Sequence, residues 1–320
     1  MRNRMLRSIL ALCISAAAIP AAKAQSPEYI EPPGFSLGTT FGLADMWGDV
    51  GTKSMVDHYN NDKYWRKPHF MGGLFLRYTV HPCFSVRMGA NYGTIFADDR
   101  WNEHNANKAT ELTDDAYQRY VRNQIAKTNI WEGNLMLEFS PFRMGVNSKL
   151  AHKRWQPYLL AGIAAYHFRA MGEYRDRVTD QKKWVDLYDL HIEGDGWNFD
   201  GAPKKYNQWQ MAVPLGLGVR WDIGYHLGFG VEYMYRYCFT DYLDGVSDKY
   251  IDPSLYDQNL SAQDADLAKN VSDRSWIIVD PNYKHTPGDK RGNKSVNDGY
   301  STVSFTFFYK LRRRSNPWWH

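Results

Sequence analysis

Residues 209–221 read Trp209-Gln210-Met211-Ala212-Val213-Pro214-Leu215-Gly216-Leu217-Gly218-Val219-Arg220-Trp221. Every odd position is large and apolar, and every even position is small or polar. After Asp222–His226 the alternation restarts: Leu227, Phe229, Val231, Tyr233, Tyr235, Tyr237 and Phe239 stand against Gly228, Gly230, Glu232, Met234, Arg236 and Cys238. A period of two is a β-strand with two unlike faces. In a soluble sandwich the bulky face is the core and the charged face is wet. In a membrane barrel the bulky face meets lipid and the small, charged face fills a narrow lumen.

The start of the chain helps to choose. Arg2, Arg4 and Arg7 precede a short apolar stretch, Ile9 to Ala18, and Ala22-Lys23-Ala24 is a small-residue cleavage site. This reads as a secretory signal over residues 1–24. The apolar stretch is shorter than the ~20 residues a membrane helix needs. The formal charge of +4 includes Arg2, Arg4, Arg7 and Lys23, so the exported chain is near neutral. That removes the electrostatic case for a nucleic-acid partner. Cys83 and Cys238 remain after cleavage, and the strand topology puts them at opposite ends of a barrel, too far apart for a disulfide. Aromatic residues make up 15% of the chain, which suits girdles at a lipid–water boundary.

Further strands follow the same pattern. They lie at Phe35–Leu43, Phe70–Val80, Phe84–Gly93, Trp131–Phe139, Tyr158–Phe168 and Tyr300–Leu311. With the two above, that gives about eight strands, each near the ~10 residues of a tilted membrane strand. Tyr158–Phe168 is apolar on both faces, so its phase is the least defined. The long connections are 44–69, 97–128, 169–207 and 241–298. Short or medium links lie between them, near Val80–Cys83, at Ser140–Gln156 and at Asp222–His226. Long loops at one end and turns at the other mark an all-β antiparallel outer-membrane barrel over residues 25–311, with a periplasmic tail at 312–320. The expected location is the outer membrane of a Gram-negative bacterium. Within the loops, residues near 116–121 and 262–268 have the makings of short helices.

Eight charges fall on the small-residue face: Arg77, Arg87, Glu132, Glu138, Arg220, Glu232, Arg236 and Lys310. An eight-stranded lumen holds only side chains, so these are expected to pair as a plug, Arg87 with Glu138 among them. No HExxH, GxSxG, CxxC or Walker pattern occurs, and no cofactor is implied. His104 and His191 read as loop histidines rather than parts of a lipid-modifying enzyme. Asp189, Glu193, Asp195 and Asp200 form an acidic loop that departs from a calcium-loop pattern, so no metal is assigned. Arg143, Lys149, Lys153 and Arg154 in the Ser140–Gln156 link, and Arg312, Arg313 and Arg314 in the tail, are basic without acids. They would meet either a partner or anionic headgroups on the periplasmic rim.

Several segments resemble the PorG-like outer-membrane barrels of the Bacteroidetes type IX secretion system. The most specific is Thr240-Asp241-Tyr242-Leu243-Asp244, after the strand carrying Glu232 and Arg236. Trp47-Gly48-Asp49, Tyr158 to Ile163, Ile192-Glu193-Gly194-Asp195-Gly196 and Val213 to Val219 also match, and the matches keep the family's order along the chain. Gly245 stands where that family pattern carries a second acid. The resemblance implies a non-enzymatic part of a secretion and gliding machine that contacts periplasmic ring proteins or lipoproteins. A stand-alone structural or adhesion barrel is the alternative reading.

Overall fold

The computed structural model describes residues 33–53, 58–59, 61–145, 149–223 and 226–311. The signal segment and Arg312–Arg314 lie outside these. Among the described residues nine strands form: β1 (Gly34–Trp47), β2 (Phe70–His81), β3 (Phe84–Asp98), β4 (Ile125–Phe139), β5 (Trp155–Arg175), β6 (Lys182–Asp186), β7 (Trp209–Asp222), β8 (Leu227–Cys238) and β9 (Gly299–Leu311). All pairings are antiparallel. β5 pairs with both β4 and β7, and β1 pairs with β9, which closes an eight-stranded barrel. β6 is a short addition on the loop end of β5.

Closure gives each of the eight strands a neighbour on both sides, which is what a β-structure in lipid requires. The β5–β7 ladder has a gap, where Gly162 and Ile163 of β5 pass Val213 and Pro214 of β7 without pairing. Pro214 has no N–H to give, and the pairing resumes on either side in the same register.

The alternation decides the faces. On β7, Leu215 and Leu217 are 53% and 56% exposed, while Arg220 is 2%. In water that row would be an apolar patch far beyond a monomer's norm; against lipid it is the wall. Aromatic residues gather at both boundaries. Tyr92 packs on Trp131 at 4.4 Å at the loop end, and Trp221 on Phe229 at 5.1 Å at the turn end. The phase of β5 is settled, with Tyr158, Leu160, Ala164, Tyr166 and Phe168 inward.

Several strands continue past their alternating stretches. Residues 44–47, 97–98, 125–128 and 169–175, assigned to loops by pattern, are strand. Beyond the membrane the outer face no longer needs apolar residues, so the period-two signal stops before the ladder does. The loops then fold over the barrel end. Helix α1 (Asp115–Arg122) is capped by the Asp114 carboxylate, which accepts from Ala116 N at 2.9 Å. Helix α2 (Ala262–Ser272) is capped by Ser261. α2 buries Ala265, Ala268 and Val271 in a cluster with Leu187, Ile192, Leu243 and Val246. This apolar lid tethers the third and fourth long loops to each other.

Candidate functional site

All eight charges on the small-residue face point into the lumen and are buried. Glu132 accepts four hydrogen bonds: from Asn91 at 2.7 Å, Asn134 at 2.6 Å, Arg236 Nε at 2.8 Å and the Tyr300 hydroxyl at 2.6 Å. Arg87 grips Glu232 with both Nη atoms, at 2.8 and 2.9 Å, and Tyr158 donates to the same carboxylate at 3.0 Å. The neighbour-strand pair expected from sequence, Arg87 with Glu138, is present at 3.4 Å as a secondary contact. β3 and β8 face each other across the lumen, so the two-pronged contact is made there and not along the wall. Glu138 instead serves Arg220 at 3.0 Å and Arg77 at 3.6 Å.

Rings fill the space between the charges. Arg77 lies over Phe308 and Arg87 over Phe75, at 4.6 and 5.0 Å. A void bounded by Phe75, Arg87, Asn134 and Glu232 measures about 20 Å³, room for one water.

At the turn end, Asp222 receives Lys310 and lies 3.5 Å from Arg143. This corrects the sequence reading of Arg143 as an exposed docking cation. It is 1% exposed and belongs to the plug, because Pro141–Arg143 turns inward as a 3₁₀ helix beneath the barrel. Lys149, Lys153 and Arg154 do lie on the exposed rim. Asp222 was missed as a lumen residue, although its even position two beyond Arg220 carried the signal.

The lid is built from the motif residues. Asp244 accepts from Val50 N and Val246 N, both at 2.8 Å, joining the fourth loop to the first. Asp298 accepts from Leu243 N at 2.8 Å. Glu193 accepts from Ser247 N at 2.7 Å and Asp248 N at 2.9 Å, and pairs with buried Arg291 at 2.7 Å. Gly245 adopts φ +73°, and a Cβ there would run into Leu187. An acid at 245 would therefore have to rebuild this turn. Arg291 and Asp298 carry no local motif, and sequence reasoning did not single them out.

Asp189, Glu193, Asp195 and Asp200 do not converge. Among the described residues no three acidic, histidine or cysteine side chains form a metal-binding group. His191 is turned inward, its Nδ1 2.6 Å from the Asp195 carbonyl. Cys83 and Cys238 are free.

Burial dominates the lid acids. It pushes Asp241 up to about 9, and the Asp244 and Asp49 charges push the same way, while the nearby Ser247 hydroxyl opposes them. Among the described residues neither Asp241 oxygen has a donor in hydrogen-bonding geometry. Asp244 rises to about 7, chiefly through burial and then Asp49. A raised carboxyl binds its proton more tightly folded than unfolded. The contribution of these two acids to the lid is therefore full below about pH 4, the unfolded value, and is lost as pH climbs through about 7 to 9. Asp241→Asn should flatten this dependence and slow protease nicking of residues 241–298 at pH 8–9. A lid whose nicking rate is the same at pH 5 and pH 9 in the parent protein would contradict it.

A model of the outer membrane protein β-barrel domain family matches residues 9–263. No curated protein matches the chain. Among solved structures it is similar to Neisserial surface protein A, at 10% identity and TM-score 0.36, covering 88% of this chain and 100% of that one. It is also similar to Ail of Yersinia pestis, solved with the heparin analogue sucrose octasulfate, at 8% identity and TM-score 0.35 with the same coverage. A third is a major outer membrane protein of Thermus thermophilus, at 11% identity and TM-score 0.38, again covering 88% and 100%.

Proposed function

The chain belongs to the outer membrane protein β-barrel domain family, and from that premise we propose that it is a non-conducting, non-enzymatic barrel that anchors a secretion assembly of type IX kind. The observation that carries the reading is the plug. With the lumen filled by Arg87–Glu232, Arg236–Glu132 and Arg220–Glu138, work has to be done at the rims. The motif that resembles the PorG-like barrels lies in the lid, and we assign the partner surface to the periplasmic rim. There Lys149, Lys153 and Arg154 form an exposed basic link, suited to an acidic face of a ring protein or lipoprotein, with Arg312–Arg314 as a second basic segment.

The test is co-purification from solubilised outer membranes. Periplasmic ring proteins are expected with the parent. Combined Lys149→Glu, Lys153→Glu and Arg154→Glu should cut their recovery several-fold, more at low salt than at high. Heat-modifiable gel mobility should stay that of a folded barrel, since these residues lie outside the paired lumen charges. Arg143→Glu is the contrasting variant: it should weaken the barrel itself. Full recovery of partners by the folded triple variant would rule out docking through this link. Absence of ring proteins from the parent preparation would favour the stand-alone adhesion reading, which the ordered lid also suits.

A further inference from the structure

Between the first, second and fourth long loops the lid leaves an open cleft of about 540 Å³. That is within the range of ordinary small-ligand sites, about 300–1,000 Å³. It is separate from the plug and from the basic rim at the other end of the barrel. Trp47 and Tyr235 supply aromatic surface, and Gln118, Asn293 and Asn297 supply amides.

Two hydroxyls make it more than a surface dip. Thr52 is 3% exposed and Tyr250 is 6% exposed, and both line the cleft. Among the described residues neither side-chain oxygen has a hydrogen-bond partner. A buried hydroxyl without a partner costs about 1–3 kcal/mol, which a ligand group reaching into the wall of the cleft would relieve. Tyr250 is held in place by stacking on His285, at 4.2 Å between ring centres.

The charge is one-sided. Lys53, Arg119, Arg122, Lys290 and Arg291 line the cleft against Asp49, Asp115 and Asp298. The acids are already engaged. Asp115 holds Arg119 and Lys53, Asp49 accepts from Asn293 N, and burial keeps Asp298 well above the usual carboxylate range. Arg122 and Arg291 are held by Asp99 and Glu193. Among the described residues Lys290 meets no carboxylate, and Lys53 is shared at an exposed contact. Hydroxyls and amides over rings, with Lys290 meeting no carboxylate among the described residues, suit a polyhydroxylated anion.

We propose that this cleft binds an acidic saccharide, its hydroxyl groups meeting Thr52 and Tyr250 and its carboxylate meeting Lys53 and Lys290. The proposal is independent of the secretion reading. The experiment is calorimetric titration of the purified barrel in detergent with digalacturonate, using neutral digalactose and tetraglutamate as controls. Saturable binding of digalacturonate that weakens with salt is expected. Thr52→Val and Tyr250→Phe remove only the hydroxyls, so each should weaken binding about 3- to 10-fold while leaving the melting temperature unchanged or higher. Lys290→Gln should weaken it without touching any internal contact, and serves if either hydroxyl variant misfolds. No saturable binding, equal binding of digalactose, preference for tetraglutamate, or full affinity in both hydroxyl variants would each overturn the assignment.

Discussion

Glu132→Ala is expected to cost the barrel about 3–5 kcal/mol, the loss typical when one partner of a buried ion pair is removed. The reason is the number of groups that converge on this carboxylate. Arg236, Tyr300, Asn91 and Asn134 all donate to it. Truncation leaves a guanidinium and three neutral donors in a space closed to lipid and nearly closed to water. Among the described residues Arg236 keeps as hydrogen-bond partners the Thr302 hydroxyl and the Met234 carbonyl. The double variant Glu132→Leu with Arg236→Met should recover most of the loss, because an apolar pair of similar volume escapes the desolvation cost altogether. Urea unfolding in phospholipid vesicles, followed by tryptophan fluorescence, measures both. A loss below about 1 kcal/mol for Glu132→Ala would mean that water replaces the carboxylate, and the lumen would then be wetter than a 20 Å³ void allows.

The barrel was readable from the chain because lipid imposes a rule on every second residue. Leu215 and Leu217 face out while Gly216 and Gly218 do not, and no tertiary detail can change that without exposing charge to hydrocarbon. Inward charges could be found the same way. Their partners could not. Arg87 was matched to Glu138 on the adjoining strand, whereas Glu232 reaches it from across the lumen, and cross-lumen distances depend on barrel closure and not on spacing. Arg143 was misjudged for a related reason: a basic residue in a link looks solvated until the carboxylate it folds onto, Asp222, is known to point inward. The lid was least legible. Its key contacts join Glu193 to Arg291, 98 positions apart, and Asp244 to Val50, 194 apart. The resemblance marks one end of each, Glu193 and Asp244, and nothing local marks Arg291 or Val50.

Glu193→Gln should open that lid while leaving the barrel intact. Glu193 is 2% exposed and holds two backbone amides of the fourth loop, Ser247 and Asp248, together with Arg291. Glutamine keeps the shape but loses the charge, and its NH₂ group cannot accept from either partner. Arg291 would retain the Gly245 and Ser272 carbonyls but no carboxylate, so a buried guanidinium is left uncompensated. A local cost of about 3 kcal/mol corresponds to roughly a hundredfold rise in the open fraction. Protease cleavage within residues 246–290 should accelerate by about that factor, since cleavage follows the population of the open form. The heat-modifiable gel shift should not change, because every lumen pair lies below the lid and none involves this loop. Arg291→Lys should give a smaller effect, as one ammonium cannot span Glu193 and Gly245 as the guanidinium does. Cleavage at the parental rate in Glu193→Gln would show that the apolar cluster of Leu187, Leu243, Val246 and Val271 holds the lid without help. Loss of the folded band would show that lid and barrel fold as one unit.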